Sequence, residues 1–170
     1  MALQTTREDH RIAWLTALAI SIHIVEAGLP SPLPGIKPGL ANVVTLAVLL
    51  DFGWRAAAWV TLLRVLCGSL LVGTFLTPTF LLSAGGAAAS VLAMGLATRL
   101  PGRGFGPIGY SLIGATAHMT GQFCIAYLLF IPHPALVRLL PILLTAALLF
   151  GAASGIIAHW MVKDRAPGVT

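Results

Sequence analysis

Charge is what this sequence has least of. Only 9% of its 170 residues are Asp, Glu, Lys or Arg, and the carboxylates number five. Glu8 and Asp9 lie in the amino-terminal tail, while Glu26, Asp51 and Asp164 are far apart. No aspartate-rich site for a magnesium-bound diphosphate is visible. Cysteine is scarcer still: Cys67 and Cys124 fall in apolar runs, with no C-x-x-C pair and no grouping with His, which argues against a disulfide framework or a zinc site. G-x-x-x-x-G-K-[ST], H-E-x-x-H and G-x-S-x-G are all missing. The chain is therefore expected to be no enzyme, to hold no cofactor or metal, and to need outside energy for any uphill transport. No convincing internal repeat is present, which weakens a transporter built from inverted repeats.

What remains is apolar. Hydrophobic residues make up 58% of the chain and the mean hydropathy is +0.94, so a soluble domain lacks the polar surface it would need. An all-α, polytopic membrane protein of one domain follows. A helix needs about 20 apolar residues to cross roughly 30 Å of hydrocarbon. Six stretches come close, at 12–29, 39–52, 56–75, 79–98, 107–131 and 136–162. The second is short, and either tilts little or starts from a re-entrant elbow at Pro34. Arg7, Arg11 and the Ala17-Leu18-Ala19 run also fit a signal peptide, but the apolar run continues well past Ala19.

The net charge of +5 reads as topology rather than nucleic-acid affinity. Arg7, Arg11, Arg55, Arg99, Arg103, Lys163 and Arg165 fall at the termini and the even-numbered loops, against Lys37 and Arg138 on the other side. Both termini are thus expected to be cytoplasmic. The stretch "PGIKPGLANVVTL" (34–46) then joins spans one and two on the outer side, its prolines stiffening the path.

Arg64 sits near the middle of span three, where a charge costs roughly 3 kcal/mol even on the permissive insertion scale. Ala57, Thr61, Arg64 and Gly68 share a stripe of small residues that faces other helices. Two readings stay open: an arginine that staples helices through carbonyls or Glu26, and an arginine that binds an anion through its planar fork of donors. Span five stacks Ser111, Ala115, His118 and Gln122 on one face. His118 alone reads as a packing residue; Gln122 beside it allows a lined cavity. In span one, Thr16, Ala19, His23 and Glu26 follow one face, and Ala13, Ala17 and Ser21 another about 140° away. The second face allows close helix docking. Gly151 with Gly155, and Gly85 with Gly86 and Ala89, read as internal packing.

"PGIKPGLANVVTLAVLL" followed by "LLRVLCGSLLVGTFLTPTFLLSAGG" resembles the Gx transporter family, also labelled heptaprenyl diphosphate synthase component I, a group similar to the substrate-binding S-components of energy-coupling factor transporters. The matching positions are Gly35, Lys37, Gly39, Ala41, Asn42, Thr45, Arg64, Gly68, Gly73, Thr74, Pro78, Phe80 and Ser83; Pro38 departs from the pattern, which usually has an apolar residue there. The resemblance implies a six-helix bundle in a bacterial inner membrane. Such a bundle captures a small molecule from outside and hands it to a membrane scaffold subunit and two ATPases. It gives Ala13, Ala17 and Ser21 a use as the scaffold-docking face. The leading expectation is a capture subunit with Lys37 and Asn42 at the outer rim, Arg64, His118 and Gln122 deeper, and Glu26 closing the ring. Its ligand would be a phosphate- or carboxylate-bearing molecule with a hydrophobic part, such as an isoprenoid. The rival is a non-catalytic membrane accessory subunit of a polyprenyl diphosphate synthase or of a redox assembly. A carrier driven by an ion gradient would need a titrating mid-membrane carboxylate, and none is evident, although His118 can carry a proton.

Overall fold

The computed structural model describes residues 6–28, 40–100 and 105–163. Among these residues the chain is helical, with no strand: α1 (Arg7–Gly28), α2 (Leu40–Phe52), α3 (Trp54–Val72), α4 (Pro78–Ala97), α5 (Pro107–Ile125), extended by one π-helical turn (Ala126–Phe130), and α6 (Pro134–Lys163). Every helix except α2 is long and apolar enough to cross a membrane. A helix stands at each of the six stretches read from the sequence, with ends displaced by a few residues, and the one at 39–52 is the short one.

Local chemistry sets those ends. α1 opens on a reciprocal cap, in which the Thr6 hydroxyl accepts from the Asp9 N–H and the Asp9 carboxylate accepts from the Thr6 N–H. Gly53 joins α2 to α3 in a single residue with φ +84°, a conformation that costs an L side chain strain. α3 ends at Gly73, φ +75°, where the Gly73 N–H bonds to the Leu70 carbonyl and the Thr74 N–H to that of Ser69, a Schellman closure. α4, α5 and α6 each start at a proline, whose missing N–H would have had no intrahelical partner there. Within α6, Pro141 withdraws a backbone donor, and its own carbonyl accepts from the Thr145 hydroxyl.

Consecutive helices pack on one another. α4 and α5 run antiparallel, since Gly85 meets Ile125 while Gly114 meets Ser90 and Met94. α5 and α6 are antiparallel as well, through Gly151 on Ala115 and Gly155 on Ile108. α1 packs on α3 with His23 over Gly68. α2 touches α1, α3, α5 and α6 and is apolar over most of its surface, as a helix with no exposed face must be, with Asn42 and Thr45 as its inward polar residues and Asp51 exposed near its end. Its Val43, Val44, Leu46, Ala47, Val48 and Leu49 form the centre of the core, with Leu15, Ala19, Ala57, Val60 and Met94 around them.

Thirteen residues make α2 only about 20 Å long, roughly two thirds of a bilayer's hydrocarbon. It is anchored through Gly53 at the end of the bundle where α3 begins, so its first turn stops well inside the membrane. That short helix brings Asn42 to the depth of Arg64. Exposed leucines, isoleucines and valines form the outer surface. Trp14, Trp59 and Trp160 are exposed near the start of α1, the start of α3 and the end of α6, all at one end of the bundle, where indole rings suit a membrane–water interface.

Candidate functional site

The site grows from the short helix. At the first turn of α2, the Asn42 side-chain oxygen accepts a 3.0 Å hydrogen bond from Nη1 of Arg64. Arg64 is 4% exposed, and its Nε is buried with no hydrogen-bond partner. A guanidinium has five donors and wants acceptors for most of them; here the Nε–H is left without one. Glu26 on α1, also 4% exposed, lies near enough to act electrostatically on Arg64. One turn before Glu26, the His23 ring lies so close over Gly68 that a Cβ there would come within 2.5 Å of it. Gly68 therefore allows α1 to bring its polar stripe against α3.

Beyond Asn42 lies a cavity of about 70 Å³ between α2, α4, α5 and α6. Its polar wall is Asn42 and Thr45 from α2, Ser90 from α4, Ser111 and His118 from α5, and Ser154 from α6. At about 30 Å³ per liquid water, it has room for roughly two water molecules. His118 Nδ1 is buried without a partner, and the charge of Arg64 reaches this ring. Ser111 donates to the Gly151 carbonyl at 2.7 Å, which ties α5 to α6 beside the cavity. A Cβ on Gly86 would fall 2.7 Å from Cγ of Gln122 and 2.9 Å from the His118 ring, so this glycine gives both side chains their place against α4.

The sequence-derived set is thus partly convergent. Asn42, Arg64 and Glu26 form one electrostatically connected group, and His118 shares the cavity wall with Asn42. Gln122 sits one turn further along α5, against Gly86, and does not line the cavity. Asn42 does not occupy a rim above a deeper Arg64; the two are hydrogen-bonded at one level, because α2 begins inside the membrane. Lys37 lies outside the described residues. Ala13, Ala17 and Ser21 are exposed on the outside of α1, away from the buried Thr16, Ala19 and Glu26. Ser90 and Ser154 escaped the sequence reading, although each carries a signal: Ser90 is four residues from Gly86, and Ser154 three from Gly151, on stripes of small residues that face a neighbour. Among the described residues no group of three His, Cys, Asp or Glu side chains could hold a metal ion.

No curated protein and no solved structure matches the chain. The sequence profile of one family, described as heptaprenyl diphosphate synthase component I, matches residues 15–161 and so covers every helix that contributes to this site. The chain belongs to the heptaprenyl diphosphate synthase component I family.

Proposed function

We propose that this protein is a membrane-embedded substrate-binding subunit that captures a small anion-bearing, amphipathic molecule and passes it to a partner energising module. The observation that carries the reading is Arg64: a cation near the centre of a spanning helix, left with an unpaired Nε and bonded to Asn42, which itself lines the cavity although Arg64 does not. A purely stapling arginine would be expected to use up its donors on carbonyls, because each unpaired buried donor costs free energy. Here the Nε–H is available to an oxyanion, and a carboxylate or phosphate can take two guanidinium donors at once. His118 would turn its free nitrogen to the same group. The protein has no chemical step in this reading, in keeping with the scarcity of carboxylates. The module would be a membrane scaffold with ATPase subunits, docked on the small-residue face of Ala13, Ala17 and Ser21. The setting would be a bacterial inner membrane with both termini cytoplasmic.

Calorimetry in zwitterionic nanodiscs tests the anion site with inorganic diphosphate as probe. The parent chain should bind it, and Arg64→Gln should weaken binding by roughly 100-fold, the scale of a charge-assisted bidentate contact. Equal affinities would remove the anion role.

The family description favours a second reading, a non-catalytic membrane component of a polyprenyl diphosphate synthase. Gentle extraction and co-purification separate the two. Recovery with ATPase subunits supports uptake; recovery with a soluble prenyltransferase supports the accessory role.

A further inference from the structure

On the lipid-facing side of the bundle, α3 and α4 do not close. A groove of about 390 Å³ runs between them, from Ala58 and Leu92 toward Leu66 and Phe80. The short alanines of α4 face leucines of α3 across it and leave the space unfilled. Leu62, Ala88 and Leu92 are exposed along it, so it opens sideways into the bilayer. The one hydroxyl in its lining, that of Thr61, is turned to Thr45 on α2. Nothing polar inside the groove selects an occupant, and selection falls to its ends.

The end at Ala58 and Leu92 carries charge. Trp54, the first residue of α3, donates its indole N–H to the Val91 carbonyl at 2.8 Å, and its ring lies so close to Gly95 that a Cβ there would collide with it. This contact pins the start of α3 to the last turns of α4. Arg55 follows Trp54 directly, and Arg99 stands one turn beyond Gly95, where its own N–H bonds to the Leu96 carbonyl as α4 closes. Both arginines are exposed. Residues three and four apart share a helix face, so Arg55 heads the row of Trp59, Leu62 and Leu66, and Arg99 ends the row of Ala88, Leu92 and Leu96. Each row runs into a wall of the groove. Neither α3 nor α4 contains a carboxylate, and Asp51, the acid nearest in sequence, lies on α2, which packs on α1, α3, α5 and α6.

We infer that this groove seats one acyl chain of an anionic phospholipid, drawn from the leaflet at the tryptophan-bearing end of the bundle, with the lipid phosphate held by Arg55 and Arg99. Depth fits this occupant. Trp59, 63% exposed and one turn along α3 from Arg55, sets the arginines at the membrane–water interface, where a phospholipid keeps its head. From Ala58 to Leu66 the groove runs roughly 12 Å along α3, and one leaflet contributes about 15 Å of hydrocarbon, half of the bilayer core. Charge fits as well, because basic side chains at the membrane surface favour anionic over zwitterionic heads. A free anion has nothing to place in the groove, and a neutral lipid leaves two arginines without a counter-charge. The site is separate from Arg64 and stands whether or not the capture reading does.

Native mass spectrometry of the whole chain released from nanodiscs tests this, with dioleoylphosphatidylglycerol and dioleoylphosphatidylcholine in equal amounts as probes. The parent chain should retain a single phosphatidylglycerol, favoured over phosphatidylcholine by roughly tenfold, the scale expected of two arginines at a charged surface. Arg55→Gln combined with Arg99→Gln should abolish that preference. Ala88→Trp, which fills the groove from its open edge, should cut retained phosphatidylglycerol at least about tenfold. Leu149→Trp, on exposed α6 surface, should leave retention as in the parent chain. Both arginines lie on the surface, so their replacement spares the fold and decides the question even if Ala88→Trp does not fold. A preference that survives the arginine replacements overturns the inference. So do adducts that rise with lipid content without levelling at one, which mark a non-specific lipid shell, and parent-like retention by folded Ala88→Trp, which removes the chain from the groove.

Discussion

α4 has two neighbours and treats them differently. Toward α5 it presents Gly85, Gly86, Ala89, Ser90 and Met94, and α5 answers with Gly114 and Gly121; a Cβ on Gly121 would lie 2.7 Å from the Gly85 carbonyl oxygen. Toward α3 it presents alanines of similar size, yet α3 answers with Leu62, Val65 and Leu66, and the helices stand apart around a groove. Small residues on one helix do not make a tight seam. Two facing sets do, because close approach needs both backbones bare, whereas one bulky ridge against alanines holds the axes apart and leaves voids between its side chains.

Substitutions on the two faces should therefore differ in sign as well as size. The largest effect is expected at the tight seam. Gly121→Leu forces a branched side chain against Gly85 and Ala89, and should cost about 3 kcal/mol or more of stability, read as a fall in the unfolding midpoint in a mild detergent titrated with a denaturing one. A parent-like midpoint would show that the seam can open, and the contrast between the two faces would disappear.

Next comes the polar layer. Asn42→Leu removes the acceptor of the Arg64 Nη1 hydrogen bond and leaves a buried charge with less company, which should cost about 2–3 kcal/mol in the same measurement. Arg64→Met removes the charge with its need for partners, and should cost less than Asn42→Leu while abolishing diphosphate binding. If the order is reversed, Arg64 is a structural staple. A smaller loss, about 1 kcal/mol, is expected for Gly73→Ala, because a side chain at φ +75° is strained although nothing lies within 4 Å of the added methyl.

Much of this was legible in the sequence, for identifiable reasons. Helix-forming stretches are legible because hydrocarbon demands length and apolarity. Arg64 stood out because charge is costly at mid-membrane, and its inward orientation followed from the small residues sharing its stripe. Which groups would share one level was not legible. The depth of Asn42 depends on how far a 13-residue helix reaches from Gly53, a property of the assembled bundle. The Ser90 and Ser154 hydroxyls were hidden among residues that also serve as packing. The groove was the least legible feature, since alanines on α4 look alike in sequence whether they meet glycine or leucine.

The smallest effect is the most discriminating. Ala88→Leu adds a branched side chain to the open edge of the groove, where the tight seam has no counterpart for such room. In a filled interface the change would overpack and cost about 1–3 kcal/mol. In an empty groove it gains contact with Leu62 and Leu92 and should shift stability by no more than about 0.5 kcal/mol, in either direction. A full overpacking penalty in ligand-free protein would mean that α3 and α4 already meet there. The two faces of α4 would then be alike, and the contrast between a closed seam and an open groove would not exist.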